Sequence, residues 1–162
     1  MVDMARVTST LATVSECLSA DHDRLDLALL EVIKLVSARR FNDARPRLSR
    51  FAFELRRHIY LEDDLVYPRF EQLTGMIDGP TVVMRDEHRA IEHHLAGMID
   101  AVMRDDRDGF DAEQEAMVAV LSDHTAREEA LLYATLDARL PAADRDAALQ
   151  AQPLLIPLAV AL

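Results

Sequence analysis

The chain is poor in the residues that mark several other classes of protein. A single cysteine, Cys17, excludes an intramolecular disulfide and makes a reducing, cytoplasmic compartment the expected location. Four glycines and six prolines in 162 residues are too few for the many turns of an all-β protein. Because 18 basic residues face 29 acidic ones, the net charge of −11 argues against nucleic acid or an anionic membrane as a partner.

Long hydrophobic runs are lacking at both ends of the chain. The N-terminus has no continuous apolar stretch of the kind found in signal peptides, so none is expected. Residues 153–162 are apolar, but a membrane-spanning helix needs about 20 such residues. Three roles stay open for this tail: packing over the rest of the protein, self-association or docking of a partner, and disorder.

What the chain has in abundance is alanine, leucine and charged residues, and helical spacing of apolar positions runs through four segments. These cover about residues 14–39, 43–73, 80–104 and 112–140, with a further short helix expected near 142–150. A capping box from Thr13 to Glu16 opens the first segment, Gly75 follows the second, and Asp111 is the predicted cap of the fourth. The short polar connections favour antiparallel neighbours. The sequence therefore predicts an all-α, up-down-up-down antiparallel four-helix bundle at residues 1–150 and an apolar tail at 151–162.

The most informative pattern is a set of polar residues that recurs after 66 positions. His22, His58, Glu62 and Tyr67 are followed at that offset by His88, His124, Glu128 and Tyr133. Apolar positions recur with the same offset, as Leu29 and Leu95 illustrate. The repetition predicts two similar halves related by a pseudo-twofold axis, with a dinuclear metal site on that axis.

Helix geometry brings these polar residues to one level. At the rise of an α-helix, the histidines and glutamates fall roughly 13–16 Å from the same end of an antiparallel bundle. His58 and Glu62, and likewise His124 and Glu128, are spaced to lie on one helical stripe. Six such groups buried without partners would be very costly, so either a His–Glu hydrogen-bond network or a metal must satisfy them. Imidazole and carboxylate ligands suit iron, manganese or zinc, which favours the metal.

The chain resembles the hemerythrin-like domains, also called HHE cation-binding domains, over about residues 14–140. The resemblance rests on the segments DHDRLD at His22, HIYLEDDLVYP at His58, DEHRAIE at His88 and HTAREEALLY at His124. It implies a non-haem di-iron centre with two iron ions per chain, bridged by carboxylates and by an oxo or hydroxo group; zinc or manganese is the alternative. By the same resemblance, the expected terminal ligands are His22, His58, His88 and His124, and the expected bridging ligands are Glu62 and Glu128.

One position departs from the oxygen-carrying hemerythrins, which place a second histidine four residues after the histidine of the third helix. Glu92 occupies that position here, and Asp26 is its mate in the repeat. We therefore predict Glu92 as a further metal ligand, with a partner for an imidazole N–H group or a polar residue at the bundle seam as the alternatives. For Asp26, a ligand role is less favoured. The carriers also have an aspartate five residues after the histidine of the fourth helix, whereas Glu128 follows His124 by four. Both differences argue against simple oxygen carriage.

Four further positions carry expectations about where their side chains lie. Tyr67 and Tyr133 lie five residues after Glu62 and Glu128, so in a regular helix they point away from the ligand stripe. Core packing is the favoured interpretation for both, unless the helix deforms. Asp63 and Glu129 are expected to face solvent.

The sequence thus predicts a protein that binds or reacts with O₂, peroxide or nitric oxide, as in a response to oxidative or nitrosative stress. Whether it is an enzyme stays open. The alternatives are a metal- or oxygen-responsive sensor or binding module, an iron donation or repair protein, and a structural zinc site or empty polar core. Nucleic-acid binding and hydrolysis have no support, because the chain has no basic stripe, no glycine-rich phosphate loop and no nucleophile–base pair.

Overall fold

The protein is described by a computed structural model that covers residues 13–140, where it is helical and has no β-strand. The helices are α1 (Val14–Ser37), α2 (Phe41–Leu61), α3 (Tyr67–Thr74), α4 (Pro80–Met103), α5 (Arg107–Arg127) and α6 (Ala134–Arg139). Two π-helical segments, Glu62–Val66 and Glu128–Tyr133, continue α2 into α3 and α5 into α6. The all-α prediction is confirmed. The predicted helix near 142–150 and the apolar tail lie outside the described residues.

Local chemistry fixes where the helices begin and end. Thr13 accepts a hydrogen bond from the Glu16 N–H at 3.1 Å, and the Glu16 carboxylate accepts one from the Thr13 N–H at 2.8 Å. This is the predicted capping box, which satisfies two of the free N–H groups at the start of α1. At the end of α3, Gly75 has a φ of +75°, the left-handed conformation that glycine adopts without strain.

The start of α5 differs from the prediction. The helix begins at Arg107 rather than near residue 112, and its cap is Asp106 rather than Asp111. The Asp106 carboxylate accepts a hydrogen bond from the Gly109 N–H at 2.9 Å. A Cβ atom at Gly109 would overlap this carboxylate, so glycine here permits a close cap instead of marking a loop. Asp111 lies within the helix and forms an ion pair with Arg107.

The apolar side chains form two clusters of buried residues. The larger cluster is made by residues of α1, α2, α4 and α5 and includes Leu25, Leu29, Phe51, Leu55, Ile91, Leu95, Met98 and Met117. The smaller cluster is Val14, Leu18, Tyr67, Phe70, Met84, Leu132, Tyr133, Leu136 and Leu140. Along the chain, the histidines and glutamates of the repeat lie near the change from positions of one cluster to positions of the other. Two dry layers therefore flank one buried polar layer.

Among the described helices, none combines the length and the apolar character that crossing a membrane requires.

Replacing Asp106 with alanine should lower the free energy of unfolding by about 1 kcal/mol, because it removes the side-chain cap of α5. The measurement is urea unfolding followed by circular dichroism, at equal metal content. Asp111→Ala is the matched control, since it removes only a partly exposed ion pair and should cost less than about 0.5 kcal/mol. Equal losses in the two variants would contradict the assignment of Asp106 as the cap.

Candidate metal centre

Six side chains of the repeat converge in the polar layer between the two clusters. The histidines are nearly buried, with exposed fractions of 9% for His22 and 2–3% for the other three, and the two glutamates are 0% exposed. Their ligand atoms form two groups, each with all atoms within 4.8 Å of one another. One group is His22, His58, Glu62 and Glu128, and the other is His88, His124, Glu62 and Glu128. The structure thus brings together six of the seven residues predicted to bind metal.

Both glutamates belong to both groups, and each uses its two oxygens differently. Glu62 places Oε1 at 3.3 Å from Nε2 of His58 and Oε2 at 3.3 Å from Nε2 of His88. Glu128 places Oε1 at 3.3 Å from Nε2 of His124 and Oε2 at 3.3 Å from Nε2 of His22. Each carboxylate therefore spans the two groups, which is the geometry that a bridging ligand needs.

In each of these four histidines, the outward-facing ring nitrogen, Nδ1, contacts a carboxylate that is not part of either group. His22 Nδ1 lies 3.1 Å from Glu129, His58 Nδ1 2.9 Å from Asp21, His88 Nδ1 3.0 Å from Asp63, and His124 Nδ1 3.0 Å from Glu87. An Nδ1–H that donates to such a carboxylate leaves the Nε2 lone pair free, directs it inward and makes it a better ligand.

These outer carboxylates repeat with the same offset of 66 residues, since Asp21 matches Glu87 and Asp63 matches Glu129. The expectation that Asp63 and Glu129 face solvent describes only part of their environment. Both stay partly exposed, with side-chain exposures of 31% and 42%, yet each holds a buried histidine of the other half. The shared offset is the signal that could have identified them.

Two arrangements of inward-facing atoms in the polar layer are unfavourable unless a cation lies between them. Nε2 of His88 and Nε2 of His124 are 3.0 Å apart, so with both Nδ1 atoms donating outward two lone pairs face each other. Glu62 Oε2 is buried and has no hydrogen-bond partner among the described residues. Two ligand atoms bound to one ion at about 2.1 Å lie roughly 3.0–3.4 Å apart. The distances between donor atoms therefore fit a cation in each group.

The pKa shifts of the buried groups also favour positive charge in this layer. Burial acts to lower the pKa of His58, but Glu62 and Asp21 outweigh it and raise that pKa to about 10. Burial likewise opposes the charged form of Glu62, yet His58 and His88 hold its pKa well below the usual range. When no metal is bound, a proton on His58 supplies part of the positive charge that the carboxylates demand. Metal ions bound here would compete with that proton.

Two tyrosines complete the layer, contrary to the expectation that they point away from it. The π-helical segments begin at Glu62 and Glu128, and their wider turn rotates the fifth residue back toward the glutamate. Tyr67 and Tyr133 are 0% exposed. The Tyr67 hydroxyl donates to Glu128, and the Tyr133 hydroxyl donates to Glu62. Each phenol therefore ties its own half to the glutamate of the other.

Glu92, the seventh predicted ligand, is exposed and lies outside both groups. Although Glu92 follows His88 by only four residues on α4, its side chain does not approach the other donor atoms. Its repeat mate Asp26 is also outside the groups and lines the edge of a small cavity.

That cavity adjoins the polar layer on the side of the larger cluster and has a volume of about 30 Å³. All four histidines line it, together with Leu25, Asp26, Leu29, Phe51, Leu55, Ile59, Ile91, Leu121 and Thr125. The two tyrosines do not belong to its lining. The two groups of donor atoms therefore have a mostly apolar pocket on one side and two phenols on the other.

The sequence matches the family model described as "Hemerythrin HHE cation binding domain" over residues 13–136. This span contains both glutamates, all four histidines and both buried tyrosines. No curated protein and no solved structure matches the chain.

Glu62→Gln and Glu128→Gln should each reduce the metal content of the loaded protein to about one ion per chain or fewer, because both groups lose a charged oxygen. The measurement is elemental analysis after anaerobic loading with ferrous iron and gel filtration. Glu92→Gln is the matched control and should retain the wild-type content. A loss in Glu92→Gln as large as in Glu62→Gln would restore Glu92 as a ligand and contradict the grouping described above.

Proposed function

The chain belongs to the hemerythrin HHE cation-binding family, and we propose that it holds two non-haem iron ions which bind or react with small oxidants. The observation that carries the proposal is the pair of donor groups that share Glu62 and Glu128 beside a small, mostly apolar cavity. The donor atoms are nitrogen and oxygen without sulfur, a set that suits iron and manganese and also accommodates zinc.

The charge around the site supports a pair of cations rather than one. Glu62 and Glu128 bring two negative charges, and the four outer carboxylates bring four more. Among the outer carboxylates, Asp21 is paired with Arg24 at 2.6 Å and Glu87 with Arg127 at 2.6 Å. Arginine thus compensates part of the outer charge and leaves the two central glutamates to the bound ions.

Each group of side chains has a distinct task in this proposal. A ferrous pair supplies the capacity to bind or reduce O₂, peroxide or nitric oxide. Glu62 and Glu128 would hold the two ions from both groups, and the four histidines would each hold one of them. The outer carboxylates keep the Nδ1 protons in place, so that every imidazole presents Nε2.

The cavity limits what can reach the ions from the histidine side. A volume of about 30 Å³ exceeds the ≳10–15 Å³ that one water molecule needs, but it leaves no room for an organic substrate. Its walls are mainly leucine, isoleucine and phenylalanine, which favour small molecules of low polarity. This size and polarity support O₂ or nitric oxide as the ligand, and the size also admits peroxide.

We also infer an antiparallel, up-down arrangement of the four long helices. Along α1, Leu18 of the smaller cluster precedes His22, and Leu25 of the larger cluster follows it. Along α2 the order is reversed, with Leu55 of the larger cluster before His58. The same alternation holds for α4 and α5. Helices that cross the same three layers in alternating order support alternating directions.

Anaerobic loading with ferrous iron should give about two iron ions per chain, and exposure to air should oxidise them with a change in the near-ultraviolet spectrum. Elemental analysis and absorption spectra before and after air provide the measurement. Nitric oxide and peroxide titrations then separate turnover from binding alone. Stoichiometric zinc with no affinity for iron, or no bound metal at all, would overturn the proposal.

Leu121→Phe should slow the reaction of the iron-loaded protein with O₂ or nitric oxide about tenfold, or ~1.4 kcal/mol in activation free energy. Leu121 is only partly buried and lines the cavity, so a larger side chain there narrows the approach. Stopped-flow spectroscopy at equal iron content measures the effect. Val118→Phe, on an exposed position of the same helix, is the matched control and should react at the wild-type rate. Unchanged kinetics in Leu121→Phe would exclude this cavity as the route.

A further inference from the structure

We propose that Tyr67 and Tyr133 are metal ligands, one on each cation, so that each ion has a phenolate oxygen as its fifth protein donor. The inference rests on the proposed function, because it requires two bound ions. Its evidence is separate: the contacts of the two phenol oxygens with the donor atoms of each group.

The Tyr133 oxygen contacts three donor atoms, and all three belong to one group. It lies 3.3 Å from Nε2 of His22 and 3.2 Å from Oε2 of Glu128, and it donates a hydrogen bond to Oε1 of Glu62. These three atoms are donor atoms of the group that contains His22 and His58, and they would bind the cation of that group. A side chain that only filled space in the core would not bring one oxygen against three atoms that point to a common centre.

The Tyr67 oxygen has the matching position in the other group. It lies 3.3 Å from Nε2 of His88 and donates to Oε1 of Glu128, the oxygen that also faces His124. Tyr67 and Tyr133 are separated by the repeat offset of 66 residues. Both groups therefore have the same five donors: two imidazole nitrogens, two carboxylate oxygens and one phenol oxygen.

The backbone supports the same conclusion, because both helices deform where the tyrosines need it. A π-helical turn is rare and is frequently found at functional sites. Here one occurs twice, each time between the glutamate and the tyrosine of the same half. In an uninterrupted α-helix the fifth residue after Glu62 would face elsewhere, and Tyr67 could fill the core without approaching the donors.

The chemistry of binding is a proton exchange without transfer of electrons. In the metal-free protein each phenol O–H donates to a glutamate. When an ion binds, the O–H bond breaks, the proton leaves to water, and the oxygen forms a bond to the ion. Two phenolates and two carboxylates carry four negative charges, which two divalent ions balance and two trivalent ions exceed. Such a donor set stabilises the higher oxidation state of iron.

The composition of the chain makes this test unusually clear. It has three tyrosines and no tryptophan, and the third tyrosine, Tyr60, is 65% exposed. Protein loaded anaerobically with ferrous iron and then oxidised with ferricyanide should show a phenolate-to-ferric charge-transfer band in the visible region. Resonance Raman spectra excited in that band should contain phenolate ring modes.

Tyr67→Phe and Tyr133→Phe should each remove about half of the band, and the double variant should remove all of it. Tyr60→Phe is the matched control and should retain the full band. Iron content is measured on every sample, because each variant must be compared at equal loading. A band that persists in the double variant would overturn the inference.

A second measurement needs no variant and so does not depend on their folding. Gallium(III), a trivalent ion without redox chemistry, is titrated into the metal-free wild-type protein. The ultraviolet difference spectrum should show two tyrosinates formed per chain at saturation. Two bound ions without a tyrosinate signal, or two ferric ions without a visible band, would overturn the phenolate ligands and leave the proposed function intact. Failure to bind iron would instead overturn the proposed function itself.

Discussion

The structure depends on two carboxylates that have no contact with water. Glu62 and Glu128 are 0% exposed and lie between two clusters of apolar side chains. A buried ionised carboxylate is costly unless positive charge and hydrogen bonds compensate it, and here four imidazoles and two phenols surround the pair. The helices, the π-helical segments and the repeat are arranged so that these donors arrive at one level. The stability and the function of this protein therefore both depend on the positive charge that occupies this layer.

From this layer to the surface, the charged and polar groups follow one another in a regular order. The central glutamates face imidazoles, the imidazoles face the outer carboxylates, and three of the outer carboxylates face arginines. Asp21 and Arg24 illustrate the sequence, since Asp21 holds His58 at 2.9 Å and receives a hydrogen bond from Arg24 at 2.6 Å. Opposite charges thus alternate from the centre to the surface. This alternation lets six carboxylates lie close together.

The parts that the sequence predicted are those that depend on a regular helix. The offset of 66 residues and the spacing of His58 and Glu62 were sufficient to predict the six converging donors. A regular period of 3.6 residues per turn places the tyrosines away from the donors, but that period fails within the two π-helical segments. A helix deformation arises from tertiary contacts, here the bonds of each phenol to the opposite glutamate, and such contacts leave no periodic signal. Glu92 was proposed as a ligand by analogy of spacing, and its exposure follows from a helix rotation that spacing alone does not specify.

The repeat extends from the donor atoms to the outer carboxylates and is lost in the arginines that bind those carboxylates. Asp21 and Glu87 hold equivalent histidines, yet Arg24, which binds Asp21, has Ala90 at its repeat position, and Arg127, which binds Glu87, has Leu61. The two halves thus compensate the same charge with arginines on different helices. Because an arginine draws negative charge away from the carboxylate that it binds, it also weakens the bond of that carboxylate to its histidine. Two groups with the same donor atoms are therefore placed in different surroundings, and the differences begin at the outer carboxylates rather than at the ligands.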